Sequence, residues 1–386
     1  MMMARDLVLF LGAGFSLDAG LPLMRDFSEL SVKTQPGLES RRGYVGELLR
    51  EAKHIYGEFR NWCMSSGLGG FDWNNVEDVF GVAEVLHKTG IERLTLGHRE
   101  LPIAYIIQNI ELWIWKTYHQ LQIKRNEPPR ALPVDRDPYK KLFLMLRDLN
   151  LAYRTTVVTT NYDIVVEYEC FLHGILCGYP TKWDSNFSAG YGSDLFVDKS
   201  QLNPPGPIVS KLHGSINFFK GIGGMSRGIA IAADLGDGRD IGSSRGSFFK
   251  NEPAVVAVGA IELLHERYGR KASPAILPPS YAKLRREPWL TDMWRTALSA
   301  LTDAREVIFI GYSLPPSDGF IRSLLAGVAA RRSHTTPLNV TVIDCSKDVR
   351  KRYVKMFGAI KPCRHLKFAD AIKTEIPRVL ERLAHL

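Results

Sequence analysis

Residues 7–16 read Leu-Val-Leu-Phe-Leu-Gly-Ala-Gly-Phe-Ser. Five consecutive apolar residues closed by Gly12-Ala13-Gly14 are the pattern of a fully buried parallel strand that ends in a tight turn. Glycines at such a turn let the backbone approach a pyrophosphate, and the amides of the following helix's first turn favour negative charge. The same turn also serves where no ligand binds, so the rest of the chain has to decide between the two readings. No Gly-Lys-Ser/Thr follows, which disfavours a loop that hydrolyses triphosphates.

Four further runs repeat the pattern. Residues 155–160 are β-branched throughout and end at Asn161-Tyr162-Asp163, and residues 207–212 end at His213-Gly214. Residues 306–310 end at Gly311-Tyr312-Ser313, and residues 338–343 end at Asp344. Strands that end in polar residues or glycine suit an open parallel sheet, where ligands sit in the crevice beyond the carboxyl ends. Between the first two runs, apolar residues recur at helical spacing: Val76, Val79, Phe80 and Ala83, then Ile103, Ile106, Ile110, Trp113 and Ile114. This predicts a helical insertion over 35–150, with a Pro-rich surface loop at 127–133 and Pro138 opening the next helix. Residues 221–248, rich in glycine and serine, predict a mobile loop or irregular hairpin. The chain closes on an amphipathic helix, about residues 372–386, with Ile376, Val379, Leu380 and Leu383 on one face. The stripe Trp289, Trp294, Leu298, Leu301 is expected in the core.

Composition narrows the classes. At 386 residues the chain holds one enlarged domain or two cores, and 45% hydrophobic with 24% charged residues is a globular balance. No apolar run approaches the roughly 18 residues that span a bilayer, so no membrane segment is expected. The start, Met-Met-Met-Ala-Arg-Asp, runs into the first strand and does not read as a secretory signal, giving a cytoplasmic expectation. Five scattered cysteines without a CxxC pair argue against a disulfide framework and a zinc ribbon. The net charge of +9 attracts phosphates of any kind, and a nucleic-acid role rests on that charge alone. The pairs Arg41/Arg42, Arg285/Arg286 and Arg331/Arg332 lie apart without interleaved aromatics and read as solvated surface.

The strand ends carry the chemistry. The Asn161 amide can hold a ribose hydroxyl and a water, and Asp163 can accept from a carboxamide; the alternative is an Asx turn that closes the strand. His213 is a candidate base toward water or a ribose hydroxyl, with Gly214 allowing close approach of a substrate; the alternative is a structural histidine. Gly311 and Ser313 can contact phosphate or ribose. Asp344 can bind ribose hydroxyls, or simply cap its strand.

In this order, GAGFSLDAGLPLMR (12–25), TTNYD (159–163), KLHGS (211–215), GYSLPPSD (311–318) and VIDCS (342–346) resemble the sirtuin superfamily, specifically its bacterial branch without zinc. The likeness covers about residues 6–30 and, in patches, 155–350. It implies an α/β fold, a Rossmann-like doubly wound parallel sheet with a helical insertion subdomain, divided as 1–34 with 151–386 and 35–150. It also implies that Gly12, Ala13, Gly14 and Ser16 form a pyrophosphate loop, with Arg25 on the arginine after the glycine-proline element. Asn161 and His213 fall on the catalytic positions, Asp163 faces nicotinamide, and Gly311, Ser313 and Asp344 take the adenosine side.

The departures matter as much. Family deacetylases carry Pro-Asp-Phe-Arg where this chain has Pro22-Leu23-Met24-Arg25, and Gln-Asn where it has Thr160-Asn161. Their four-cysteine zinc module after the histidine is missing, and an acyl-lysine groove needs it. Water is then the natural acceptor. The resemblance therefore implies NAD as substrate, no metal, and cleavage to nicotinamide and ADP-ribose through an oxocarbenium-like transition state. In that chemistry Asn161 positions water and ribose, His213 acts as base and Asp163 holds the nicotinamide amide. The same branch implies an antiphage abortive-infection effector that depletes NAD, a homo-oligomer, and a HerA-type ring ATPase as partner. Two alternatives stay open: a module that senses NAD or ADP-ribose without turnover, and a protein deacylase or ADP-ribosyltransferase.

Overall fold

Strand β1 (Leu7–Leu11) lies at the centre of a parallel sheet, and its five side chains are all buried. The computed structural model describes residues 6–21, 23, 26–27, 44–126, 137–175, 177–180, 206–220, 230–231, 273–277, 288–315, 318–332, 338–358, 360 and 367–385. Among them β1 pairs on one side with β4 (Thr155–Thr159), which pairs with β5 (Ile208–Lys211). On the other side it pairs with β9 (Glu306–Ile310), which pairs with β10 (Asn339–Ile343). The spatial order is β10-β9-β1-β4-β5, all parallel. The chain thus winds outward from β1 through β4 and β5, then crosses back to lay β9 and β10 on the other side. This is a Rossmann-like α/β sheet, and its order reverses between β1 and β9.

Alternation along β1 explains the two cores. Leu7, Leu9 and Leu11 face one apolar cluster, and Val8 and Phe10 face the other. Each such buried side chain contributes about 2 kcal/mol. The second cluster is covered by the helices Pro288–Asp303, Gly319–Arg332 and Lys347–Phe357. Trp289, Trp294 and Leu301 are buried there, and Leu298 packs against them, as the stripe predicts. The C-terminal helix Glu375–Ala384 buries Ile376, Val379, Leu380 and Leu383 in the first cluster, on the face expected.

The described residues between β1 and β4 are mainly helical. Val76, Val79, Phe80 and Ala83 are buried on Val76–Lys88, and Ile103, Ile106, Ile110, Trp113 and Ile114 on Ile103–Asn126. The stretch is not helical throughout, because β2 (Arg93–Leu96) and β3 (Arg99–Pro102) form an antiparallel hairpin around Gly97 at φ +58°. The helix Asp137–Asp148 starts at Asp137-Pro138 as expected, and it packs with the C-terminal helices beside the sheet. Tyr139 anchors it by donating to Phe15 O at 2.5 Å.

The loop at 127–133 and nearly all of 221–248 lie outside the described residues. Within the latter, Ala230–Ile231 pairs as strand β7 with β6 (Gly214–Lys220), which also pairs with β8 (Ser273–Ile276). Arg332 departs from the solvated-surface expectation: its guanidinium donates to Thr302 O and Ala304 O at the end of a neighbouring helix. Among the described residues no helix is long and apolar enough to cross a membrane.

Candidate active site

Register aligns the strand ends. Leu11 is level with Thr159 and Ile310, Thr159 with Lys211, and Ile310 with Ile343. Gly12, Thr160, Leu212, Gly311 and Asp344 therefore stand in a row along one edge of the sheet, with Asn161 and His213 one residue further out.

At the reversal point the two glycine turns interlock. Gly12 N–H donates to Ile310 O at 3.0 Å, and Gly14 N–H to Gly311 O at 2.9 Å. A Cβ on Gly12 would sit 2.5 Å from Tyr312 Cα, and one on Gly311, at φ +64°, 2.3 Å from Gly14 C. These glycines thus serve backbone-to-backbone approach, and two of the turn's amides are committed to it. The neighbouring Leu314 is fully buried at φ +51°, a left-handed conformation unusual for leucine.

Asn161 ties the second strand to this turn. Its Nδ2 donates to Gly12 O and Ser16 Oγ, each at 2.9 Å, in a buried position. Gly12 O can only accept, so the network fixes the amide with nitrogen inward. Both Nδ2 hydrogens are then used, and Oδ1 is left with acceptor capacity. Thr159 holds the loop, bonding Leu11 O at 3.1 Å and accepting from Asn161 N–H at 3.0 Å.

His213 is 2% exposed, and its Nε2 lies 3.8 Å from Asp318 Oδ2, an ion-pair distance beyond hydrogen-bond reach. The Tyr312 hydroxyl donates to the same oxygen at 2.7 Å, while Asp318 Oδ1 accepts from Ile321 N–H at 3.3 Å in the first turn of helix Gly319–Arg332. Burial pushes the Asp318 carboxyl up, but the imidazole, the Tyr312 hydroxyl and that amide outweigh it and hold the group below its ordinary value. Burial and the Asp318 charge push the Tyr312 hydroxyl well up, so it stays a donor. Gly214, at φ +81°, would bring a Cβ within 1.9 Å of Ala275 O. The approach it permits is therefore that of β8, whose end is held by Leu277 N–H on His213 O at 2.9 Å.

Asp163 uses Oδ1 to accept from Val165 N–H at 3.0 Å, an Asx turn leading into helix Val165–Leu172. Its carbonyl accepts from Lys211 Nζ. Lys211 also pairs with Glu167 at 3.0 Å, both 1% exposed, and Tyr179 donates to the same Glu167 oxygen at 2.7 Å. A buried lysine at the end of a strand thus fixes the loop that carries Asn161. Helices between β1 and β4 border the same place. Tyr118 packs edge-on against Tyr162 at 6.0 Å, and Tyr162 OH lies 3.5 Å from Glu77 Oε1, in the first turn of Val76–Lys88. Burial first, then Glu77, pushes the Tyr162 hydroxyl well above its ordinary range.

Of the residues read from the sequence, Gly12, Gly14, Ser16, Asn161 and Gly311 are brought into direct contact, with Ala13 inside the turn. His213 joins them through Asp318 and Tyr312. Ser313 is exposed at the rim, and Asp344 is half-buried with Oδ1 accepting from Ser346 N–H at 2.8 Å. Arg25 lies outside the described residues. Asp318, Tyr312, Tyr162, Glu77 and Lys211 were given no role by sequence reasoning. Lys211 carried a signal as a lysine in a strand otherwise read as buried, and Tyr162, Tyr312 and Asp318 stood inside the quoted motifs. Among the described residues no group of three histidine, cysteine or acidic side chains is arranged to hold a metal ion.

The fold is Rossmann-like. No protein-family model matches this chain, and no curated protein does. Among solved structures it is similar to one described as "The Structural basis of Sirtuin Substrate Affinity". The identity is 13%, the TM-score 0.37, and the alignment covers 98% of this chain and 95% of that one. A likeness of that size assigns no residue and no activity.

Proposed function

We propose that the crevice at the carboxyl edge of the sheet binds NAD and hydrolyses it to nicotinamide and ADP-ribose. One observation carries the reading: Asn161 and His213, from adjacent strands, converge with the interlocked glycine turns where strand order reverses, the usual ligand position in such sheets. In the reaction the bond between ribose C1′ and the nicotinamide nitrogen breaks, its electron pair leaving with nicotinamide. A water oxygen bonds to C1′ and gives up one proton.

Asn161 Oδ1 accepts from that water or a ribose hydroxyl, and its two spent hydrogens keep the amide from rotating. His213 takes the proton, and the ionised Asp318 stabilises the imidazolium that forms. With Gly12 N–H and Gly14 N–H already bonded, Ala13 N–H and Ser16 are the turn's contributions to the pyrophosphate. Asp163, Gly311, Ser313 and Asp344 complete the nicotinamide and adenosine ends in this reading, and Arg25 belongs to it by motif.

The motif order supports the wider reading: an antiphage effector that depletes NAD, acting as a homo-oligomer with a HerA-type ATPase. It also supports the division into an NAD-binding domain, 1–34 with 151–386, and an insertion, 35–150. The test is product analysis of the purified protein incubated with NAD. Nicotinamide and ADP-ribose released by the parent, and not by His213→Ala, is the expected result. Binding without release under every condition would replace the enzyme with a sensor.

A further inference from the structure

A cavity lies away from the strand ends. It has a volume of about 660 Å³ and runs between helices Gly319–Arg332 and Lys347–Phe357. Among the described residues, four cations line it, Arg322, Arg332, Arg352 and Lys355, and no acidic residue does. Its floor is small or apolar, with Ala326 and Ala329 on one helix and Met356 and Phe357 on the other.

The cations fall into two kinds. Arg322 and Arg332 spend guanidinium hydrogens on backbone carbonyls, Leu314 O at 3.3 Å and Thr302 O and Ala304 O at 2.9 and 2.7 Å, and so are held in place. Arg352 and Lys355 make no ion pair with any described residue, although Lys351 beside them pairs with Asp348. The Arg352 Nε is buried with no hydrogen-bond partner among the described residues. A buried guanidinium nitrogen without an acceptor costs free energy that an anion would recover.

We infer that this cavity is a binding site for a nucleotide-class ligand, a phosphorylated molecule whose planar or apolar body lies on the alanine and phenylalanine floor. The volume falls in the range of small-molecule sites. Four cations without a carboxylate call for more than one negative charge, and Arg352 is the natural fork for a phosphate. A nucleic-acid duplex would engage cations on an open face, whereas these line a concavity between two packed helices. The site is independent of the reacting crevice and of the hydrolase reading.

Photolabelling of the full chain with 8-azido-ADP, mapped by peptide mass spectrometry, tests it. The expected label falls on peptides from 319–332 or 338–358, is competed by ADP, and drops about tenfold or more in Arg352→Glu and in Lys355→Glu. Arg352→Lys, which keeps the charge and loses the fork, should retain part of it. Lys355→Glu, at an exposed position, decides should Arg352→Glu fail to fold. Label confined to peptides around Gly12 and Gly311 would overturn the proposal. So would inorganic pyrophosphate competing as well as ADP, which removes the need for a body, or single-stranded DNA competing better than either.

Discussion

Asn161 Nδ2 donates to Ser16 Oγ at 2.9 Å, and this bond joins the end of β4 to the first helical turn after β1. The same nitrogen donates to Gly12 O, so one amide closes the floor of the crevice and is itself immobilised. Two regions 145 residues apart in sequence thus become one site.

Replacing the amide by the isosteric carboxylate separates shape from hydrogen bonding. Asn161→Asp puts an acceptor against Gly12 O and is expected to lower stability by about 1–3 kcal/mol, more than Asn161→Ala does. Urea denaturation at pH 7 checks this. An Asp variant as stable as the parent would mean that the two inward bonds are not what holds the loop.

Asp318 should act on the reaction through His213. Asp318→Asn is expected to lower kcat by about 10²-fold while changing KM little. The acidic limb of the rate profile should move to lower pH, because removing a carboxylate beside an imidazole disfavours its protonated form. A purely structural role for Asp318 would lower the rate with no movement of that limb.

The same carboxyl gives a stability signature. Its folded value lies below the ordinary one, so its contribution is fully present above the ordinary carboxylate range. It is lost as pH falls from that range through the folded value. The stability gap between the parent and Asp318→Asn should therefore be largest near neutrality and close in acid. A gap that widens on acidification would reverse the assignment.

Gly214 leaves no room for a side chain. Gly214→Ala combines a left-handed backbone with a Cβ 1.9 Å from Ala275 O, and the strain alone costs about 1–3 kcal/mol. Thermal unfolding should show a large drop in midpoint, while Gly327→Ala, where a Cβ meets nothing within 4 Å, should be neutral or stabilising. Equal midpoints for the two variants would contradict the packing of β8 on His213.

Lys211 and Glu167 form a buried pair whose members depend on each other. Lys211→Met should cost about 3–5 kcal/mol by stranding a buried carboxylate. The double variant Lys211→Met with Glu167→Leu should cost clearly less than the sum of the single changes. Strict additivity in the double-mutant cycle would show that the pair does not couple.

Much of the sheet was legible because each buried parallel strand announces itself as an apolar or β-branched run closed by glycine or a polar residue. Strand order was not, since register depends on contacts between distant runs. The candidate site was legible at the strand ends, where Gly12, Asn161 and His213 each stand at a predicted terminus. Asp318 was not, because its contact with His213 spans the sheet and no local spacing encodes it. Gly214 was read as room for a substrate; that room is taken by Ala275 O, a distinction that only three-dimensional packing draws. The hairpin at Arg93–Pro102 escaped the helical reading because its strands are four residues each, too short for a periodicity to register.

In the proposed reaction Asn161 and His213 meet NAD in one crevice and cleave it. The direct measurement is chromatographic separation of products after incubating the purified protein with NAD, beside Asn161→Ala and His213→Ala. Nicotinamide and ADP-ribose appearing in equal amounts with the parent alone is the predicted result. Undiminished release by His213→Ala, or intact NAD bound by every form under every condition, would contradict it.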